Sequence, residues 1–224
     1  MLGYLLILNA PLATMIVLVA ILGSGQSLIK LNSHICIYIF YSLSSVHAHV
    51  LEEMYPYLKN SKDEQLSILD VGAGSGYLTA ALARWVAPLK PGSQSSFLDE
   101  NKTGKVYGIE VYQHLIEFAR ENIERGDKDL LDNGILSLQK ADGWKGLPEA
   151  SPFDAIHVGA AASDFPQALL EQLKVGGVLI IPVGPQNGAQ SLYRVERIGD
   201  GFTQNDYRIK ELLGVRYVPL VPQI

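Results

Sequence analysis

A glycine-rich segment, ILDVGAGSGYLTAALAR at residues 68–84, constrains the fold more than any other part of this chain. It begins as an apolar run typical of a buried strand, passes through Gly72, Gly74 and Gly76, and continues with the spacing of a helix. Strand, glycine turn and helix in this order are typical of the first unit of an open α/β sheet, where a ligand approaches backbone that any Cβ would block. The segment therefore predicts a nucleotide-like ligand at the carboxyl edge of a parallel sheet.

Short apolar runs alternate with helical patterns from Leu66 onward, which predicts an α/β domain with a mostly parallel central sheet and helices on both faces. The predicted strands cover residues 66–71, 105–111, 135–142, 153–160 and 178–183, and the predicted helices cover 77–86, 112–125 and 164–174. Residues 88–104, rich in Pro, Gly and Ser, are predicted to form an exposed loop. From about Ser191 an additional strand region is predicted to cover the ligand.

Two acidic residues are predicted at the same sheet edge as the glycine turn. Glu110 ends the second strand, and Asp142 with Gly143 ends the third. A carboxylate at the end of the second strand can accept both hydroxyls of a ribose, while Asp142 can accept an exocyclic amine and Gly143 can expose its N–H. The alternatives are a solvated strand end for Glu110 and an Asx-turn or helix cap for Asp142. No G-K-[ST] follows the glycines, so the pattern predicts an adenosine site without a triphosphate.

Composition narrows the class of protein further. The 224 residues carry a net charge of −5, which argues against nucleic-acid binding, because that function calls for a basic surface. The single cysteine, Cys36, excludes an internal disulfide framework and a multi-cysteine metal site. No metal is predicted, and the composition favours a cytoplasmic protein.

The N-terminal region differs from the rest of the chain, because residues 1–29 contain no charged side chain. Residues 1–23 have about the length that spans a bilayer core, although Asn9, Pro11 and Thr14 interrupt the run. A positively charged segment of the kind that opens a secretory signal is missing. Three interpretations remain open for this region: a membrane anchor or signal, a buried apolar segment, or a translated intron or wrong start that extends to residue 46.

Four segments resemble one known family: LDVGAGSGYLTA, FDAIHVGAAA, PQALLEQLKVGGVLIIPVGP and GVRYVPL. Over residues 47–222 the chain resembles the protein-L-isoaspartate (D-aspartate) O-methyltransferases. The resemblance implies the Rossmann-like fold of S-adenosylmethionine-dependent methyltransferases, with S-adenosyl-L-methionine as cofactor. It also implies methylation of the free α-carboxylate of L-isoaspartyl and D-aspartyl residues, which starts the repair of age-damaged proteins. We expect the protein to be a monomer.

The resemblance also assigns roles to individual residues. It implies contacts with the methionine part and the sulfonium for Asp70, Gly72, Gly74 and Gly76. It implies a ribose contact for Glu110 and adenine contacts for Asp142 and Gly143.

The substrate loop departs from the family pattern T-I-S-A-P-H-M-H-A, because this chain has FYSLSSVHAHV in its place. His47 matches the end of that loop and Ser42 falls on its serine, so the resemblance implies catalytic roles for both in holding the substrate. The alternatives are a helix-start residue for His47 and coincidence for Ser42. We therefore expect an atypical apolar segment at 1–46 and a methyltransferase domain at 47–224. The alternative function is a methyltransferase-fold protein that binds the cofactor but is catalytically impaired or attached to a membrane.

Overall fold

The computed structural model describes residues 33–87, 98 and 102–222. It divides into two compact units, Met1–Glu53 and Met54–Ile224. In the first unit the described residues belong to helix α1, Ser33–Asn60. The predicted boundary between residues 46 and 47 falls inside this helix and stays a prediction. The predicted anchor at 1–23 lies outside the described residues, and none of the helices that are described is long and apolar enough to cross a membrane.

The second unit alternates strands with helices, as the sequence predicts. Its elements after α1 are β1 (Gln65–Val71), α2 (Tyr77–Val86), β2 (Thr103–Glu110), α3 (Gln113–Gly126), α4 (Lys128–Asp132), β3 (Leu136–Lys140), β4 (Phe153–Val158), α5 (Gln167–Glu171), β5 (Leu173–Val183), β6 (Gln190–Arg197) and β7 (Tyr207–Val215). Most of the predicted loop at 88–104 lies outside the described residues, and its last two residues begin β2.

The seven strands form one sheet in the order β3-β2-β1-β4-β5-β6-β7. Strands β1 to β5 pair in parallel, while β6 and β7 pair antiparallel at one edge. The strand order reverses between β1 and β4, and ligands bind open α/β sheets at the carboxyl end of such a switch point. The topology confirms the predicted fold class and places a binding crevice next to the glycine turn.

Side chains of β1 alternate between the two faces of the sheet, as the period of a strand requires. Leu69 and Val71 belong to an apolar cluster on one face that also contains Phe153 and Leu169. Asp70 points to the other face, where its carboxylate accepts a hydrogen bond from Thr79 of α2. Both faces of the parallel part are covered, which explains why its strands are predominantly apolar.

The predicted helix at 164–174 is too long. Helix α5 ends at Glu171, and β5 already begins at Leu173, so Gly176 and Gly177 lie inside a strand instead of ending a helix. A Cβ on Gly177 would stand 2.8 Å from the carbonyl oxygen of Asp154, so glycine is needed where β5 lies against β4. The predicted cover from Ser191 onward is also wrong in part, because β6 and β7 extend the sheet and only the segment after β7 lines the crevice.

Candidate functional site

The three glycines of the turn between β1 and α2 all have positive φ, but they face different surroundings. Gly72 and Gly74 have φ values of +81° and +53°, and a Cβ on Gly74 would meet no atom closer than 3.8 Å. A Cβ on Gly76 would instead stand 2.9 Å from the side chain of Ile123 and 3.1 Å from that of Ala119, both in α3. Gly74 is therefore open to a ligand, whereas Gly76 allows α2 and α3 to pack closely.

A cavity of about 230 Å³ lies at the carboxyl ends of β1, β2 and β4. Its described lining consists of Val71, Gly72, Gly74, Ile109, Glu110, Val111, Tyr112, Leu115, Ala141, Gly143, Gly159, Ala160, Val218, Pro219, Leu220 and Val221. Within this lining Glu110 is the only side chain that carries a charge at neutral pH, and no Lys or Arg is present. An uncharged sugar and base fit such a surface better than a polyphosphate does.

Glu110 ends β2 and is 8% exposed. Its carboxylate accepts backbone hydrogen bonds from Val111 at 2.9 Å, from Gly74 at 3.3 Å and from Tyr112 at 3.4 Å. A carboxylate offers about four acceptor positions, so one remains for a hydroxyl group, and weak backbone bonds can be shared. The carboxylate thus holds the glycine turn and faces the cavity at the same time, so Glu110 is not simply a solvated strand end.

Asp142 and Gly143 follow β3 and behave differently from each other. Asp142 is 7% exposed, and its Oδ1 accepts a hydrogen bond from the backbone of Trp144 at 3.0 Å, which is the Asx-turn that the sequence left open. Gly143 lines the cavity, and a Cβ there would stand 2.7 Å from Val71 and 2.8 Å from Leu220. A Cβ at this position would push against two side chains that also line the cavity, so glycine fits here with the least disturbance and leaves its backbone uncovered.

Asp70 is buried at 1% exposure and is not among the residues that line the cavity. Its Oδ2 accepts a hydrogen bond from the hydroxyl group of Thr79, with 2.5 Å between the two oxygens, and its Oδ1 lies 2.7 Å from Nδ1 of His157. Both oxygens are therefore engaged beneath the glycine turn, where they join β1, β4 and α2. This geometry gives Asp70 a supporting place, in contrast to the direct contact that the resemblance implies.

Sequence reasoning missed several residues of the site. His157 is the partner of Asp70, and Gly159 and Ala160 line the cavity at the end of β4. The run HVGAAA contained a signal for these, since small residues after a strand permit close approach of a ligand. Tyr217 lies nearby, and burial together with the charge of Asp70 raises the pKa of its hydroxyl to about 12.

Ser42 and His47, the predicted substrate-holding residues, both lie in α1. The structure has a helix where the family pattern predicts a loop, and the roles of Ser42 and His47 stay predictions. Among the residues that the structure describes, no cluster of three or more His, Cys, Asp and Glu side chains could hold a metal ion.

Strand order, glycine turn and acidic strand end together define a Rossmann-like fold of the S-adenosylmethionine-dependent methyltransferase class. The crystal structure of a Plasmodium falciparum protein described as a protein-L-isoaspartate O-methyltransferase, in complex with S-adenosyl-L-homocysteine, matches with a TM-score of 0.60 and 30% identity, over 79% of this chain and 73% of that one. A second structure of a protein-L-isoaspartate O-methyltransferase matches with a TM-score of 0.54 and 23% identity, over 80% of this chain and 47% of that one, and supports the fold.

Sequence comparison identifies the family within this class. The model of the family described as "Protein-L-isoaspartate(D-aspartate) O-methyltransferase (PCMT)" matches residues 32–224. A protein-L-isoaspartate O-methyltransferase of Triticum aestivum is 41% identical over 180 residues, which are 80% of this chain and 68% of that protein. One from Ignicoccus hospitalis is 42% identical over 156 residues, which are 70% of this chain and 63% of that protein. The chain belongs to the protein-L-isoaspartate (D-aspartate) O-methyltransferase family.

Proposed function

We propose that this chain transfers a methyl group from S-adenosyl-L-methionine to the free α-carboxylate of L-isoaspartyl and D-aspartyl residues, at the cavity beside Gly74. The proposal depends on one observation in a chain of this family: the space above Gly74 is free of other atoms and lies next to the Glu110 carboxylate, which can accept a further hydrogen bond. The Plasmodium falciparum relative that binds S-adenosyl-L-homocysteine adds support, because that molecule is the methyl donor after transfer.

The residues of the cavity fit this cofactor. Glu110 would accept hydrogen bonds from the ribose, and Gly72 with Gly74 would let the methionine part approach the backbone. Gly143 would present its backbone to the adenine, with Asp142 beside it. Asp70 and Gly76 would contribute from below the turn, because neither lines the cavity.

When bound, the cofactor supplies a methyl group on a positively charged sulfur. The substrate needs no general base, because an α-carboxyl group has a pKa of about 3.3–3.7 and is already the anionic nucleophile at neutral pH. This chain then contributes by aligning the two groups and by excluding water. The apolar walls formed by Ile109, Leu115 and Leu220 serve the second purpose. The absence of an acid–base dyad from the described lining is compatible with such chemistry.

The methyl ester formed in this way carries a better leaving group than the carboxylate does, because its methoxy group departs as methanol. The neighbouring backbone nitrogen of the substrate attacks the ester carbonyl and expels methanol to form a succinimide, and hydrolysis returns part of the material as normal aspartate without the enzyme. The proposal includes age-damaged proteins as partners, a cytoplasmic monomer, and Ser42 and His47 as residues that hold the substrate carboxylate.

The test is the transfer of labelled methyl from S-adenosyl-L-methionine to an isoaspartyl peptide, compared with the same peptide carrying normal aspartate. We expect label in the first peptide and none in the second. Equal labelling of both peptides would point to another carboxylate substrate and overturn the proposal. Binding of S-adenosyl-L-homocysteine without any transfer would overturn it as well and would favour an impaired cofactor-binding protein.

A further inference from the structure

The segment after β7, residues 216–222, forms one wall of the cavity, and we call it the strap. Four consecutive residues, Val218 to Val221, line the cavity. The backbone of Leu220 donates to the carbonyl oxygen of Ala161 at 2.8 Å, and Ala161 in turn donates to that of Val218 at 2.8 Å. These bonds attach the inner side of the strap to the segment that follows β4.

Two further bonds hold the beginning of the strap. The backbone N–H of Tyr217 donates to Oε1 of Gln190 at 2.7 Å, and Nε2 of Gln190 donates to the carbonyl oxygen of Tyr217 at 3.3 Å. Gln190 begins β6 and is 3% exposed, so the first residues of the strap are attached to the sheet itself.

Trp144 makes the bond nearest the end of the strap among the residues that the structure describes. Its indole Nε1 donates to the carbonyl oxygen of Leu220 at 2.9 Å, while its backbone N–H donates to Asp142 at 3.0 Å. The adjacent Gly143 lies so close that a Cβ there would stand 2.8 Å from Leu220. One side chain therefore joins the loop that follows β3 to the wall formed by the strap.

The position of the indole is fixed by packing. Trp144 and Leu220 both pack against the apolar cluster that contains Val71 and Leu169. A partly buried aromatic ring that is packed in this way directs its N–H to one place, which gives a single hydrogen bond more control over the strap than a flexible side chain would have.

We propose that Trp144 is a positioning residue that keeps the strap closed over the cavity, and that its bond to Leu220 slows the departure of the nucleoside product. The inference rests on the proposed function, since it takes the product to be S-adenosyl-L-homocysteine in this cavity. A ligand walled in by the strap leaves when the strap moves. Loss of one neutral hydrogen bond should therefore speed dissociation about 3- to 10-fold.

The chain provides a matched control, because it contains two tryptophans. Trp85 is 5% exposed, packs edge-to-face on Tyr55, and has an Nε1 without a hydrogen-bond partner in the described structure. Trp144→Phe and Trp85→Phe remove the same atoms, but only the first removes a hydrogen bond to the strap.

The experiment measures the release of tritiated S-adenosyl-L-homocysteine after addition of excess unlabelled ligand, with the association rate measured in parallel. We expect Trp144→Phe to dissociate about 3- to 10-fold faster with a nearly unchanged association rate. Trp85→Phe should release the ligand at the rate of the unchanged protein. A folded Trp144→Phe that dissociates at the original rate, or an equal acceleration in Trp85→Phe, would overturn the inference.

A second variant separates the hydrogen bond from packing. Substituting 3-benzothienylalanine at Trp144 replaces the N–H by sulfur and keeps the shape of the ring, so it also decides the matter if Trp144→Phe does not fold. The same acceleration supports the inference, and an unchanged rate overturns it. If the unchanged protein does not bind S-adenosyl-L-homocysteine at all, the proposed function fails instead, and the two failures are thereby distinguished.

Discussion

Adding a methyl group at Gly74 should weaken cofactor binding, in addition to a backbone cost that it shares with other glycines of positive φ. The nearest atom to a Cβ at this position is the carbonyl oxygen of Gly72 at 3.8 Å, so the protein itself does not exclude a side chain. The methyl group of Gly74→Ala would occupy cavity space that the ligand needs. Overpacking of this kind costs about 1–3 kcal/mol, which corresponds to roughly 5- to 150-fold in the dissociation constant. Gly74→Val should weaken binding by at least about tenfold.

Backbone strain requires its own control, because Gly74 has a φ of +53°. Gly134 has a φ of +68°, and a Cβ there would meet nothing within 4 Å. Gly134→Ala therefore carries a similar conformational cost of about 1–2 kcal/mol, far from the ligand. Isothermal titration calorimetry with S-adenosyl-L-homocysteine and thermal unfolding measure the two effects. Unchanged affinity in folded Gly74→Ala, or equal losses of affinity in both variants, would refute the reasoning and assign the glycine to the turn alone.

Glu110→Gln should weaken cofactor binding by about 1–3 kcal/mol, because the charged acceptor is lost. Glu117→Gln, at an exposed position of α3, should leave the affinity unchanged. Equal affinities of the two variants by calorimetry would contradict the ribose assignment. The hydroxyl of Tyr217 has a pKa of about 10 in the unfolded chain and about 12 in the folded one. The folded protein therefore loses stability as the pH rises from about 10 to about 12, and Tyr217→Phe should make this loss smaller. Chemical denaturation at several alkaline pH values measures this, and identical pH profiles would disprove it. Replacing residues 43–46 by Ala-Pro-His-Met should leave cofactor affinity unchanged and raise the rate of methyl transfer at least about 10²-fold, because in-line placement of the two reacting groups governs the rate. Equal rates in the two proteins would show that the present segment completes the active site.

The sequence predicted the local structure around the candidate site well where the signal was local. Helix α2 begins and ends at the predicted residues, because a glycine turn marks its start and buried positions recur at helical spacing. Glu110 was placed correctly because β2 ends there, and the end of a strand fixes which edge of the sheet its side chain reaches.

The parts that were missed depend on contacts between residues distant in the chain. Asp70 and His157 are separated by 87 positions, and no local pattern shows that the histidine occupies one oxygen of that carboxylate. Gly176 and Gly177 look like the end of a helix, but the approach of β5 to β4 decides their conformation. The strap carries little periodicity, so its place beside Gly143 could be found only from the folded structure.

The hydrogen bonds that Glu110 accepts from Val111, Gly74 and Tyr112 all come from the backbone that surrounds its carboxylate. The acceptor proposed for the ribose is thus held in place by the same backbone that forms the wall around it, so a bound nucleoside should not need to order this corner. Preorganisation of this kind reduces the entropic cost of association. Amide hydrogen exchange at Gly74 should consequently be slow already in the ligand-free protein, and ligand addition should slow it further by only a small factor.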